Sequence, residues 1–162
     1  MMLSEILTIS FLAKLVSAML GTLGFAIIFR SRPKNLPVAM LGGGLTYFVY
    51  FCVESASGLL FGAAFISSVV AAAYSECSAR IVHAPATVFF LPCIIPTVPG
   101  SYIYYFMTYL ITKNYGDSIH YLGECAVIGI GIAGGVFAVS IFLDIFSMVR
   151  GRLTQKGKKY KI

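Results

Sequence analysis

Long apolar stretches alternate with short polar ones along most of the chain. A helix of about 20 apolar residues crosses the roughly 30 Å hydrocarbon core of a bilayer. By that measure five segments qualify, at about 6–29, 36–53, 59–79, 86–112 and 124–148. The connectors between them begin at Arg30, Glu54, Arg80 and Lys113 and carry Gly, Pro, Asn, Ser and charged residues, the chemistry of turns. The pattern predicts an all-α polytopic integral membrane protein with five transmembrane helices. The first stretch has no Lys or Arg ahead of it and exceeds the apolar core of a secretory signal, so it reads as a retained span.

The fourth segment is broken. Pro85, Pro92, Pro96 and Pro99 with Gly100 interrupt a run otherwise apolar enough for lipid. An interior proline has no amide to donate and presses on the carbonyl four residues back, so the carbonyls of Val88, Pro92 and Ile95 are expected to lose their helical partners. Irregular backbone at membrane depth survives only where protein buries it or where it lines a wet cavity, and discontinuous helices build transporter sites. A second half-helix beginning near Ser101 would present unpaired amides and a partial positive charge, and the freed carbonyls would face it. Such a break accommodates a zwitterionic amino acid or a small carboxylate with a cation. A plain kink, its carbonyls capped by a neighbouring Ser or Thr, is the competing reading.

Charge sets the orientation. Short loops rich in Lys and Arg stay cytoplasmic. With the amino terminus outside, Arg30, Arg32, Lys34, Arg80, Arg150, Arg152, Lys156, Lys158, Lys159 and Lys161 all fall inside, Lys113 falls outside and Lys14 lies within a span. A hairpin at residues 86–112 would carry the cationic end across the membrane, so two half-helices making one crossing are expected. At 1.5 Å per residue, pieces of about 15 and 18 Å suffice. Tyr47, Tyr50, Tyr105, Tyr109, Tyr115 and Tyr121 then lie toward the outer boundary, where amphipathic rings are well placed.

Composition agrees: of 162 residues, 59% are hydrophobic and only 11% charged, which excludes an ordinary soluble domain. The simplest partition is a transmembrane domain, 1–149, with a basic cytoplasmic tail, 150–162. Anionic inner-leaflet lipid suffices as the tail's partner, so nucleic-acid binding is not expected.

Gly129, Gly131 and Gly134 match a dinucleotide fingerprint, but no strand precedes them. Gly131 and Gly135, four apart, instead share a face that suits close helix packing, as does the cluster Gly42, Gly43 and Gly44. Among ionisable residues, Glu76 and Arg80 are spaced to pair along a helix, whereas Asp144 and Glu124 suit the interfaces. Lys14 lies deeper, and either snorkels outward or faces a polar path. Cys52, Cys77, Cys93 and Cys125 read as small apolar residues, with a Cys52–Cys125 disulfide the lesser alternative. No nucleophile with a base and no metal-ligand spacing stands out, so neither an enzyme nor a metal or cofactor is expected.

Gly24-Phe25-Ala26-Ile27-Ile28-Phe29, the glycines at 42–44 and, above all, the run from Pro85 to Gly100 resemble the threonine/serine exporter family. The chain is most similar to the small subunit of the split exporters, which matches the carboxy-terminal half of single-chain members. It departs at Cys93, where a glycine commonly precedes Ile-Ile-Pro. The resemblance implies proton-motive-force-driven export of small amino acids, or of a dicarboxylate such as succinate, across a bacterial inner membrane. It also implies a larger membrane partner subunit, and Pro96, Pro99 and Gly100 as motif positions. Five spans are few for a carrier, so assembly with that partner or with further copies is expected. The residues assigned to the substrate path are Pro92, Pro96, Pro99, Gly100, Ser101 and Lys14. The alternative is a scaffold or regulatory subunit that transports nothing.

Overall fold

The computed structural model describes the backbone of residues 9–159 and the side chains of residues 10–146 within it. Among the described residues six helices follow one another: α1 (Ile9–Ile28), α2 (Leu36–Ser57), α3 (Leu60–Val82), α4 (Thr87–Ile94), α5 (Gly100–Ile111) and α6 (Tyr115–Lys159). Short 3-10 turns occupy Pro33–Asn35 and Ile95–Thr97, and there is no strand among the described residues. Helices α1, α2, α3 and α6 are each long and apolar enough to cross a membrane, and α4 with α5 makes a fifth if the bent pair is one span. The start of the first predicted span, before Ile9, and the side chains of the basic tail lie outside the described residues.

Three helix boundaries differ from the sequence reading. Helix α2 runs past Glu54 to Ser57 and stops where Gly58 turns left-handed at φ 64° and donates its N–H to the Glu54 carbonyl. Glu54 is therefore a helical residue, half-buried, rather than part of a loop. Helix α3 ends at Val82, closed by His83 at φ 55°. Helix α6 begins at Tyr115, not near residue 124. Its start is set by Asn114, whose carbonyl accepts from the Ser118 N–H and whose side chain donates to Asp117 at 2.7 Å. Asp117 also complements the positive end of the helix.

Helix α3 is the centre of the bundle, with α2 and α6 its most extensive neighbours; α1 packs on α2, and α5 on α6. It can be central because its inward face is small: Ala63, Ala64, Ser67, Ser68, Ala71, Ser75 and Ser78 are buried at three- and four-residue spacing. Burying those hydroxyls is tolerated because Ser67, Ser68 and Ser75 donate to carbonyls of their own helix, at 3.1, 2.8 and 2.7 Å. Helix α6 approaches this face through Gly131 and Gly135. An added Cβ at Gly131 would sit 2.9 Å from the Phe61 carbonyl oxygen, and one at Gly135 would sit 2.5 Å from that of Phe65.

The glycines of α2 act differently from those of α6. Successive helical residues point about 100° apart, so Gly42, Gly43 and Gly44 face different neighbours. A Cβ at Gly42 would strike Cys93 of α4 and Tyr74 of α3, at Gly43 it would strike Thr22 of α1, and at Gly44 it would meet Met19 of α1. One turn of α2 thus seats three helices. Side chains tie the same region together: the Tyr74 hydroxyl donates to the Val38 carbonyl at 2.8 Å, and the Cys93 thiol donates to the Ala39 carbonyl at 3.5 Å. At Cys93, then, the close approach is supplied by the glycine on the facing helix.

Helix α5 is held to α6 by aromatic rings. Tyr109 stacks on Tyr121 with centroids 5.4 Å apart, and Tyr105 and Tyr102 approach the same ring at 5.3 and 6.3 Å. The Ser118 hydroxyl donates across to the Phe106 carbonyl at 3.2 Å. The Glu76–Arg80 pair forms at 3.0 Å as its spacing predicts, and Glu124 faces His120 at 3.4 Å. All four cysteines are free thiols.

Candidate functional site: the break between α4 and α5

The break is real, with α4 and α5 inclined by 50°. Its carbonyls, however, are not left as the proline argument expects. The Pro92 carbonyl, deprived of an amide from Pro96, accepts the N–H of Ile95, and the Ile95 carbonyl, deprived of Pro99, accepts the N–H of Val98 at 3.1 Å. The physical reason is that the chain tightens to a three-residue repeat at Ile95–Thr97, which brings each amide one residue closer. Thr97 adds a hydroxyl bond to the Ile94 carbonyl at 2.8 Å, so the capping Thr belongs to the break itself. Of the three carbonyls, only that of Val88 is left to the original argument, since Pro92 has no N–H to give it.

The far side of the break is also partly closed. Helix α5 starts at Gly100, whose N–H donates to the Val98 carbonyl at 2.7 Å, and the first helical bond runs from the Ile103 N–H to the Pro99 carbonyl. The amides of Ser101 and Tyr102 remain at the helix head, with no side-chain cap on Pro99. Gly100 and Ser101 are exposed, and an added Cβ at Gly100 meets nothing within 4 Å. Pro92 lies buried at the other extreme, beside Cys93 in the core.

What the fold brings together is Lys14 and Pro96. They line one cavity of about 450 Å³ with Ala13, Ser17 and Ala18 of α1 and Tyr47 of α2. Lys14, Ser17 and Ala18 are three and four residues apart and so share a face of α1. A carboxylate that composition suggests for a loop, Glu54, stands on the same helix as Tyr47. Glu54 lies in electrostatic range of Lys14 across the α1–α2 interface, and of Tyr47 and Tyr50 on its own helix and Tyr102 on α5. The spacing Tyr47, Tyr50, Glu54 marks one helix face and was the available signal. Of the six path candidates, Lys14 and Pro96 line one cavity, Pro99, Gly100 and Ser101 lie at the head of α5, and Pro92 is buried.

An ammonium, two hydroxyls and a proline-interrupted turn line an open, largely apolar recess, with the Glu54 carboxylate in electrostatic range of its ammonium. Sequence comparison decides what kind of protein builds it. The family model described as Threonine/Serine exporter, ThrE, matches residues 14–142. The chain belongs to the threonine/serine exporter family. The match spans the recess from Lys14 onward and both halves of the break, through α5 and into α6. No curated protein and no solved structure matches the chain. As a family member it is a multi-pass membrane protein of a transporter family, with a small-molecule substrate in keeping with that membership.

Proposed function

We propose that this exporter-family chain is the small membrane subunit of a two-component secondary exporter of threonine and serine, with a small dicarboxylate such as succinate the second substrate class. It works with a larger membrane subunit in a bacterial inner membrane. The observation that carries the reading is the cavity shared by Lys14, Ser17, Tyr47 and Pro96, because it sets charge and hydroxyls against the broken helix. Ionisable groups within membrane spans are costly and mark ion and substrate pathways.

The cation asymmetry supports an amino terminus outside and a carboxyl terminus in the cytoplasm. The 50° bend supports a single crossing by α4 and α5, since a re-entrant hairpin reverses direction. Glu54 is the proposed proton-responsive partner of Lys14. One observation favours the scaffold alternative: the recapture of the Pro92 and Ile95 carbonyls makes the break self-sufficient as a kink.

Export separates the two readings. In cells loaded with a threonine-, serine- or succinate-releasing peptide or acid, co-expression of the chain with its larger subunit is expected to lower intracellular accumulation, and the larger subunit alone is not. Equal accumulation in every combination rejects the exporter reading.

A further inference from the structure

A second recess lies at the opposite, cation-rich end of the bundle. It is a cavity of about 270 Å³ between the α1–α2 connector and the α3–α4 connector, lined among others by Arg30, Ser31, Arg32, Lys34, Asn35 and His83. That is just under the ~300–1,000 Å³ of drug-sized ligand pockets, so it suits a small metabolite. No carboxylate lines it, and among the described residues none of its three cations is paired with one. Positive-inside placement accounts for cations in this connector. It does not account for what lies beneath them.

Asn35 is 2% exposed, and its side-chain oxygen has no hydrogen-bond partner; the Ser31 hydroxyl, also buried, has none either. Buried polar atoms are nearly always satisfied, and an orphan one calls for a missing partner. The two kinds of group ask for different things. Arginine and lysine take an anion, best a planar carboxylate in the case of arginine. A carboxamide oxygen only accepts, so it requires a donor.

We propose that this cavity is a binding site for a free α-amino acid, its carboxylate held by Arg30, Arg32 and Lys34 and its ammonium group donating to the Asn35 side-chain oxygen. Ser31 can serve either end of the ligand. The site stands where Pro85 and Val88 open the broken helix, so it is the place at which substrate is collected before passing toward Pro96. Its role as an entry site rests on the exporter reading, whereas the binding chemistry does not. A phosphatidylethanolamine headgroup offers the same pairing of anion and ammonium, and the test must separate the two sources.

The test is equilibrium binding of radiolabelled L-threonine and L-serine to the full-length chain in nanodiscs of phosphatidylglycerol and phosphatidylcholine, which supply no ammonium donor. Saturable binding is expected, weakened at least tenfold in both R32Q and N35L. Arg32 is exposed, so R32Q leaves the fold intact even if N35L does not. Succinate and inorganic phosphate are expected to displace the label poorly, and phosphatidylethanolamine added to the nanodisc is expected to leave binding unchanged. The proposal is overturned by no saturable binding, by equal binding in R32Q, by phosphate competing as well as unlabelled threonine, or by phosphatidylethanolamine abolishing binding. Export measured in parallel keeps the two ideas apart: export that R32Q and N35L leave intact rejects the entry role alone, while binding without any export rejects the exporter reading alone.

Discussion

Gly135→Ala lowers the stability of the solubilised protein by about 2 kcal/mol, and Gly135→Leu prevents α6 from seating on α3; these are the expected results of adding a side chain where there is no room. Alanine is worth up to about 1 kcal/mol more than glycine in a helix interior, but overpacking costs about 1–3 kcal/mol or more. The second effect wins at Gly135 because the obstruction is backbone: the Phe65 carbonyl oxygen is 2.5 Å and the Val69 nitrogen 3.2 Å from the added atom. Gly131→Ala is expected to behave likewise, with the Phe61 carbonyl oxygen at 2.9 Å. Gly129→Ala, with nothing within 4 Å, is expected to be neutral or mildly stabilising. Thermal inactivation followed by size-exclusion chromatography in detergent checks the series. Equal effects at Gly129 and Gly135 would mean that α6 does not pack on α3 through this face.

The second large effect is on transport. Glu54→Gln is expected to reduce threonine efflux about tenfold or more while the protein still reaches the membrane, because the amide keeps the shape and loses the charge. A hydrogen bond or contact to a charged group is worth about 1.5–3 kcal/mol, which is about tenfold or more in a rate that depends on it. Lys14→Met is expected to act similarly. Since Glu54 and Lys14 interact across α1 and α2, their effects should not add. The charge-exchanged double variant, Lys14→Glu with Glu54→Lys, is expected to reach the membrane without regaining full efflux. Efflux from preloaded cells, normalised to the amount of protein in the membrane, decides this. Wild-type efflux in Glu54→Gln would remove the carboxylate from the mechanism.

Much of the fold was legible because the bilayer constrains length so strongly. The apolar runs placed the end of α1 and the starts of α2 and α3 within about one residue, and Glu76 and Arg80 paired as their spacing implied. Helix ends were less legible, because they depend on local hydrogen bonds rather than hydropathy. Glu54 looks like a loop residue in composition, yet α2 continues until Gly58 can turn left-handed. The break between α4 and α5 was visible in Pro92, Pro96, Pro99 and Gly100, but its hydrogen bonding was not. Counting missing amides names the carbonyls at risk; it cannot show that the chain will tighten at Ile95–Thr97 and rescue those of Pro92 and Ile95. The meeting of Lys14 with Pro96 was beyond reach for another reason. It depends on α1 crossing α2 at a particular register, set by Thr22 and Met19 against Gly43 and Gly44, and one-dimensional pattern carries no such register.

The central claim is that the recess formed by α1, α2 and the break lies on the transport path, and Ser17 is the residue that tests it most directly. Ser17 is exposed, lines that recess and bonds only to the Ala13 carbonyl of its own helix, so Ser17→Cys is a small change. In a chain whose four native cysteines are replaced and which still exports, maleimide modification of Ser17→Cys is expected to stop threonine efflux, and threonine itself is expected to slow the modification. Efflux that continues after complete modification, or a modification rate indifferent to threonine, would contradict the account.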